Sequence, residues 1–376
     1  MYPSLVSFRH LERMTDDTGL LEHCLGNIPR RAEGYTTDDN ARALWTCVEW
    51  LELLSSAETT EMLKEKLYTL IDRYLAFLMW AQREDGRFHN NIAYDRSTEE
   101  ERPSDDCLGR ALWACARAFI KLTDNERKIA IQEMFSKSIK AVDSLVFPRG
   151  WAYALAACSL LLHHIDRTQW RTDAFCDSTF TALPDVADRL ESQLIALFRK
   201  NAKAGWNWFE PVMTYGNGVM PWSLFCAYQV NRRQETLEVA QASLDFLIAK
   251  MTGREGIIRP IGNRGWCTIE HRSDWDQQPL EVMKLALASA QAYVSLGESA
   301  YWEVLKKCRD WFYGNNDLRT PLVDVEEGSC CDGLMSEGVN RNRGAESTLS
   351  YLLTEAIYRN IELEVDASCL LQSVGN

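Results

Sequence analysis

TDDNARALWTCVEWLELL, from Thr37, and SDDCLGRALWACARAFIKL, from Ser104, are the two stretches that decide the fold. DDNARALW and DDCLGRALW differ by one inserted residue, and their leading aspartates lie 67 residues apart. Both are apolar and rich in small residues over most of a helical circumference, the pattern of a helix buried on nearly all sides. Four more segments read the same way, starting near Gly150, Asn217, Gln277 and Gly344. Amphipathic helices are expected between them, over 61–82, 126–145, 183–200, 235–251 and 298–312.

A buried helix alternating with an amphipathic one at this period predicts an all-α architecture, an (α/α)6 toroid with inner and outer rings of six. A short helix over 4–14 would complete the outer ring beside the last inner helix. One domain spanning 1–376 is expected. The connections DGRFHN (from Asp85), GWNWFEPVMTYGN (from Gly205) and GIIRPIGNRGW (from Gly256) precede inner helices, so a closed ring gathers them around one mouth. The longest connection, 314–343, exceeds the length at which loops are usually functional.

The chain has 376 residues, 46 % hydrophobic and 25 % charged, the composition of a folded globular protein. Its net charge of −13 argues against a nucleic-acid partner, which needs a basic stripe. No apolar run is long enough to span a bilayer. The opening MYPSLVSFRHLERMTDD lacks a basic segment followed by an apolar one, so no signal peptide is expected. Twelve cysteines without CxxC spacing, and no Asn-x-Ser/Thr sequon, suggest free thiols in a reducing cytoplasm and no zinc site. No nucleotide, serine-hydrolase or zinc-protease motif is present, and no metal or cofactor is expected.

Chemistry is expected where the loops meet the inner helices. Asp-Asp pairs occur at Asp16, Asp38 and Asp105, the last two opening inner helices. Acids there complement the helix dipole, and Thr37 or Ser104 could cap. Two carboxylates on neighbouring helix starts also suit acid/base or nucleophilic chemistry at a glycosidic bond. Asp39 and Asp106 are the candidates, with Asp38 in support. In WNWFEPVMTYGN, Trp206, Trp208 and Phe209 flank Glu210 and Tyr215; the rings could stack on sugars or belong to the core. Aromatic neighbours would raise the pKa of Glu210, as a general acid needs. RGWCTIEHRSDWDQQPLE supplies Trp266, His271, Asp274, Asp276 and Gln277, with Asp276 also a plausible helix cap. DGLMSEGVNRNRGAESTL supplies Asp332, Asn340, Asn342, Arg343 and Glu346, the last also able to pair with Arg42 or Arg110. Together they make a carbohydrate-type lining. The reading is a glycoside hydrolase acting on an oligosaccharide or glycoconjugate, with Glu210 or Asp106 as acid and Asp39 as base or nucleophile. A sugar epimerase or isomerase using His89 or Tyr215, or a non-catalytic glycan-binding subunit, are the alternatives.

RMTDDTGLLEH, GYTTDDNARAL, WFEPVMTYGN, GNRGW, DQQPLE and GVNRNRGAESTL resemble a bacterial family of α/α-toroid domains found alone or attached to glycosyltransferases. The likeness runs from about Arg13 to Tyr358. It implies an (α/α)6 barrel, a carbohydrate role and a possible glycosyltransferase partner. The family's Tyr-Asp-Asn phrase reads Tyr215-Gly216-Asn217 here, a missing carboxylate. The paired aspartates also look like those of α-mannanases and unsaturated glucuronyl hydrolases of this fold.

Overall fold

The computed structural model describes residues 6–54, 58–98, 104–168 and 177–374. Twelve α-helices occur among them. They are α1 (Arg9–Met14), α2 (Thr37–Leu53), α3 (Glu58–Ala81), α4 (Asp105–Lys121), α5 (Asn125–Ala141), α6 (Pro148–Thr168), α7 (Asp177–Asn201), α8 (Val219–Asn231), α9 (Gln234–Met251), α10 (Pro279–Leu296), α11 (Ser299–Phe312) and α12 (Ala345–Val374). The even-numbered helices pack in sequence, and α12 returns to α2, which closes the ring. The odd-numbered helices lie outside, with α1 against α12. This is the (α/α)6 toroid. The N-terminal helix begins at Arg9 rather than residue 4; residues 4 and 5 lie outside the described residues.

Small residues let the inner helices approach. Ala111, Ala114, Ala116 and Ala118 of α4 are buried, as are Ala152, Ala154, Ala156 and Ala157 of α6. At Gly109 an added Cβ would stand 2.8 Å from Tyr153 Cβ and 3.1 Å from the Gly150 carbonyl oxygen. Alanine there gains about 1 kcal/mol of helix propensity but overpacks the α4–α6 seam, at about 1–3 kcal/mol. Overpacking wins because one obstacle is backbone. Gly109→Ala is therefore expected to lower the urea midpoint with an unchanged m-value.

The inner helices all begin at one face, where the longer loops carry eight short strands. These are β1 (Cys24–Leu25), β2 (Ile28–Pro29), β3 (Tyr35–Thr36), β4 (Asn91–Ile92), β5 (Val323–Asp324), β6 (Ser329–Cys330), β7 (Gly333–Met335) and β8 (Gly338–Asn340). They form four antiparallel pairs, β1–β2, β3–β4, β5–β6 and β7–β8. The β3–β4 pair joins the loop before α2 to the loop before α4. Single bridges, Met213 with Cys267 and Gln277 with Leu334, tie the next loops together. The mouth is thus a hydrogen-bonded collar. No helix among the described residues is long and apolar enough to cross a membrane. The ten cysteines whose state is described are free and buried.

Candidate active site

Inside the collar lies a cavity of about 500 Å³. Six carboxyl groups line it, from Glu22, Asp38, Asp39, Asp276, Asp332 and Glu346, with Asn90, Asn91, Asn263 and Asn340 among the other polar groups. Helix capping explains the central pair. Thr36, not Thr37, caps α2, its hydroxyl oxygen accepting the Asp39 N–H at 3.2 Å. Thr37 is drawn away because its hydroxyl donates to the His89 carbonyl, 2.5 Å across the β3–β4 junction. Ser104 caps α4 as expected.

Both Asp39 oxygens are engaged. Arg42 lies 2.9 Å from Oδ1, and the Thr36 hydroxyl donates to Oδ2 at 3.0 Å. Burial pushes the Asp39 carboxyl up to about 6; Arg42 pulls against this, and the charges of Glu346 and Asp38 add to it. Asp38 differs. It pairs with Arg110 at 2.5 Å, while its buried Oδ1 has no hydrogen-bond partner among the described residues. Two charge chains therefore cross the ring. Glu346–Arg42–Asp39 joins α12 to α2, and Asp38–Arg110–Asp106 joins α2 to α4.

Glu22 comes from the loop before α2. Burial, then the charge of Asp39, pushes its carboxyl up to about 7, with His23 opposing. Asp332 is raised by burial, although it accepts the Gly344 N–H at 2.7 Å. Asp276 adopts φ 61° and pairs with Arg264 at 3.3 Å; it does not cap α10, whose N-cap is Gln278. The Gln277 amide is spent on the loops. Its nitrogen donates to the Asp274 carbonyl and to Asp317, and its oxygen accepts from the Trp311 indole.

Of the candidates drawn from the sequence, Asp38, Asp39, Asp276, Gln277, Asn340 and Glu346 come together here. Asp106, Trp208, Glu210, Tyr215, Trp266 and Arg343 are not among the lining residues. Trp208 is fully buried against Phe209 and Phe246, because its loop folds back onto the outer helices α7 and α9. Glu210 faces Arg149 at 3.1 Å rather than the aromatic cluster that was expected to surround it. Arg149 also donates to the Tyr215 carbonyl and lies over the Tyr215 ring, 4.6 Å from its centroid. Burial and then the charge of Asp106 push the Tyr215 phenol up to about 12. Gly216, at φ 59°, gives its N–H to Glu281, a carboxylate supplied by α10 instead of by this loop. Arg343 donates to the Ser329 hydroxyl and anchors the last loop. Glu22, Asn90, Asn91 and Asn263 were not singled out from the sequence; for Glu22 the available signal was its place in RMTDDTGLLEH. Among the described residues no group of three His, Cys, Asp or Glu side chains is placed to hold a metal ion.

No protein-family model matches the chain, and no curated protein matches its sequence. Solved structures do match along nearly the whole length. The cellobiose 2-epimerase of Bacillus thermoamylovorans is 11 % identical, with a TM-score of 0.68 over 94 % of this chain and 96 % of that one. A D-mannose isomerase is 11 % identical, with a TM-score of 0.63 over 96 % and 100 % of the two chains. The GH76 α-1,6-mannanase of Salegentibacter sp. is 11 % identical, with a TM-score of 0.59 over 93 % and 95 %. That structure is an inactive variant, with two adjacent aspartates replaced by alanine, in complex with α-1,6-mannotetrose. At these identities the likeness establishes the (α/α)6 toroid fold.

Proposed function

We propose that this protein is a glycoside hydrolase that holds an oligosaccharide or glycoconjugate in the mouth cavity and cleaves it by carboxylate chemistry. The observation that carries the reading is the Asp38–Asp39 pair at the start of α2, facing one cavity with four further carboxyl groups. Glycosidic cleavage needs one carboxyl group to donate a proton and another to act as base or nucleophile. Of the pair, Asp38 has the freer carboxylate, because its buried Oδ1 is unpartnered and its side chain is the more exposed, while both Asp39 oxygens are occupied. Asp39 then orients Arg42. Asp106 and Glu210, held by Arg110 and Arg149, position Tyr215 and its loop. The inactive adjacent-aspartate variant of the mannanase supports the role given to the pair.

The cavity lining contains amides, carboxyl groups and the His23 imidazole but no Phe, Tyr or Trp ring, so recognition rests on hydrogen bonds to hydroxyl groups. An epimerase needs a base for a carbon-bound proton. Of the bases the sequence offered, His89 is outside the lining, and Tyr215, with its phenol pushed up, is a poor base at neutral pH. The imidazole in the lining is that of His23, which faces Glu22 at 3.3 Å, and an isomerised product in the test below would point to it. None of the neighbours named above is a glycosyltransferase, and the proposal needs no such partner.

Incubation with manno-, gluco- and galacto-oligosaccharides, followed by chromatography, tests the reading. Release of a shorter sugar is expected. Conversion to an isomer of unchanged length would replace hydrolase with epimerase. Silence across the panel, with sugar-induced thermal stabilisation, would replace it with a binding protein.

A further inference from the structure

We infer that Glu22, on the loop before α2, is the acid that protonates the departing glycosidic oxygen. The inference rests on the hydrolase reading and names the residue that completes it. The backbone of Glu22 is pinned on both sides. Its N–H donates to the Gly34 carbonyl at 3.0 Å, and its carbonyl accepts from the N–H of Ala345, the first residue of α12, at 2.9 Å. Those two bonds fix the backbone that carries the side chain at the cavity wall, the first requirement of a preorganised catalytic group.

The surroundings separate Glu22 from the other five carboxyl groups. Asp38, Asp39, Asp276 and Glu346 each have an arginine within ion-pairing distance, from Arg110, Arg42, Arg264 and Arg42 respectively. Asp332 is held as an acceptor by the Gly344 N–H. Glu22 has the imidazole of His23 at 3.3 Å, on a half-exposed side chain, and no arginine or lysine partner among the described residues. The charged groups facing it are Asp39 from α2, Glu346 from α12, and Glu33 and His23 from its own loop. Three of those four are acids. The anion is thus the disfavoured form, and Glu22 keeps its proton up to about pH 7.

A general acid is marked by surroundings that disfavour its anion. Glu22 is crowded by acids, whereas Asp38 is clasped by Arg110. In the bond-breaking step the C1–O bond opens with its electron pair going to the departing oxygen, which takes the proton from Glu22. Water adds to C1 as its proton passes to the Asp38 carboxylate. Exchange with solvent returns a proton to Glu22 and removes one from Asp38.

The test uses two substrates of the full-length protein: the oligosaccharide cleaved in the panel, and the 2,4-dinitrophenyl glycoside of the same sugar, whose leaving group needs no protonation. Glu22→Gln is expected to lower kcat/KM on the oligosaccharide by about 10²–10³-fold and to leave the dinitrophenyl glycoside nearly unaffected. The alkaline limb near pH 7 in the wild-type profile on the oligosaccharide should be absent from the variant's residual oligosaccharide activity. Glu22→Asp, which keeps the acid but retracts it, should retain the limb at reduced kcat. Equal losses on both substrates, or an unchanged limb in Glu22→Gln, would overturn the assignment while leaving the hydrolase standing. A wild type that cleaves neither substrate removes both readings together.

Discussion

Asp38→Asn is expected to lower oligosaccharide cleavage by about 10³-fold or more, with sugar-induced thermal stabilisation retained. The amide preserves the size of the side chain and most of its hydrogen-bonding geometry, so the cavity keeps its shape. What it removes is an anion able to accept a proton. Arg110 loses its 2.5 Å partner but keeps Asp106 at 3.4 Å, so the buried guanidinium is not orphaned. Asp39→Asn must behave differently. Asp39 and Arg42 are both almost wholly buried, and Arg42 would be left with Glu346, at the same 3.4 Å but on a side chain 39 % exposed, whereas the Asp106 left to Arg110 is buried. Breaking a buried pair in this way costs about 3–5 kcal/mol. Activity lost in Asp39→Asn therefore mixes chemistry with structure, and Asp38→Asn is the cleaner probe. Single-turnover rates beside thermal shifts, for both variants, make the comparison. Full activity in Asp38→Asn would remove it from the reaction.

The ring was legible because burial on all sides leaves a mark that survives without tertiary information: runs such as ALWACARAF in α4, with Arg117 the one charge in nine residues, leave no polar face. Closure then carried Asp38, Asp39, Asp276, Asn340 and Glu346 to the mouth, since each stands at or just before the start of an inner helix. Glu22 was not legible in the same way. It sits in a loop, and its place depends on a bond to Ala345, which lies far away in sequence. Trp208 misled for a related reason. An aromatic run bounded by glycine and proline looks the same whether it faces a ligand or folds onto Phe209 and Phe246. The cap on α2 moved by one residue because Thr37 had a stronger offer across the β3–β4 junction. Local propensity fixes that a cap exists; the neighbouring loop decides which threonine serves.

Lys284→Met is expected to stabilise the protein by about 1–4 kcal/mol at neutral pH, the range for replacing buried charge with apolar bulk. Lys284 lies on α10 and is 1 % exposed. No carboxylate is within ion-pairing distance among the described residues, whereas Arg42, Arg110, Arg117 and Arg309 each have at least one. Its amine rests over the rings of Trp45 and Tyr153, 5.6 and 5.0 Å from their centroids. Cation–π attraction of about 0.5–2 kcal/mol favours the charged form, but burial costs an ion several kcal/mol. Burial wins. The amine is driven well below its ordinary pKa, by burial first and then by Arg42 and Arg110, with Glu346 and Glu281 opposing. The unfolded chain holds a proton on this lysine up to about pH 10.5. Between the lowered folded pKa and that value the unfolded state binds more protons, so wild-type stability rises with pH. Methionine has no such dependence, so its advantage should be largest near pH 7 and shrink by pH 9.5. Urea midpoints at the two pH values read this directly. A loss of stability in Lys284→Met at pH 7 would mean that the ammonium is held, charged, by its aromatic and acidic neighbours.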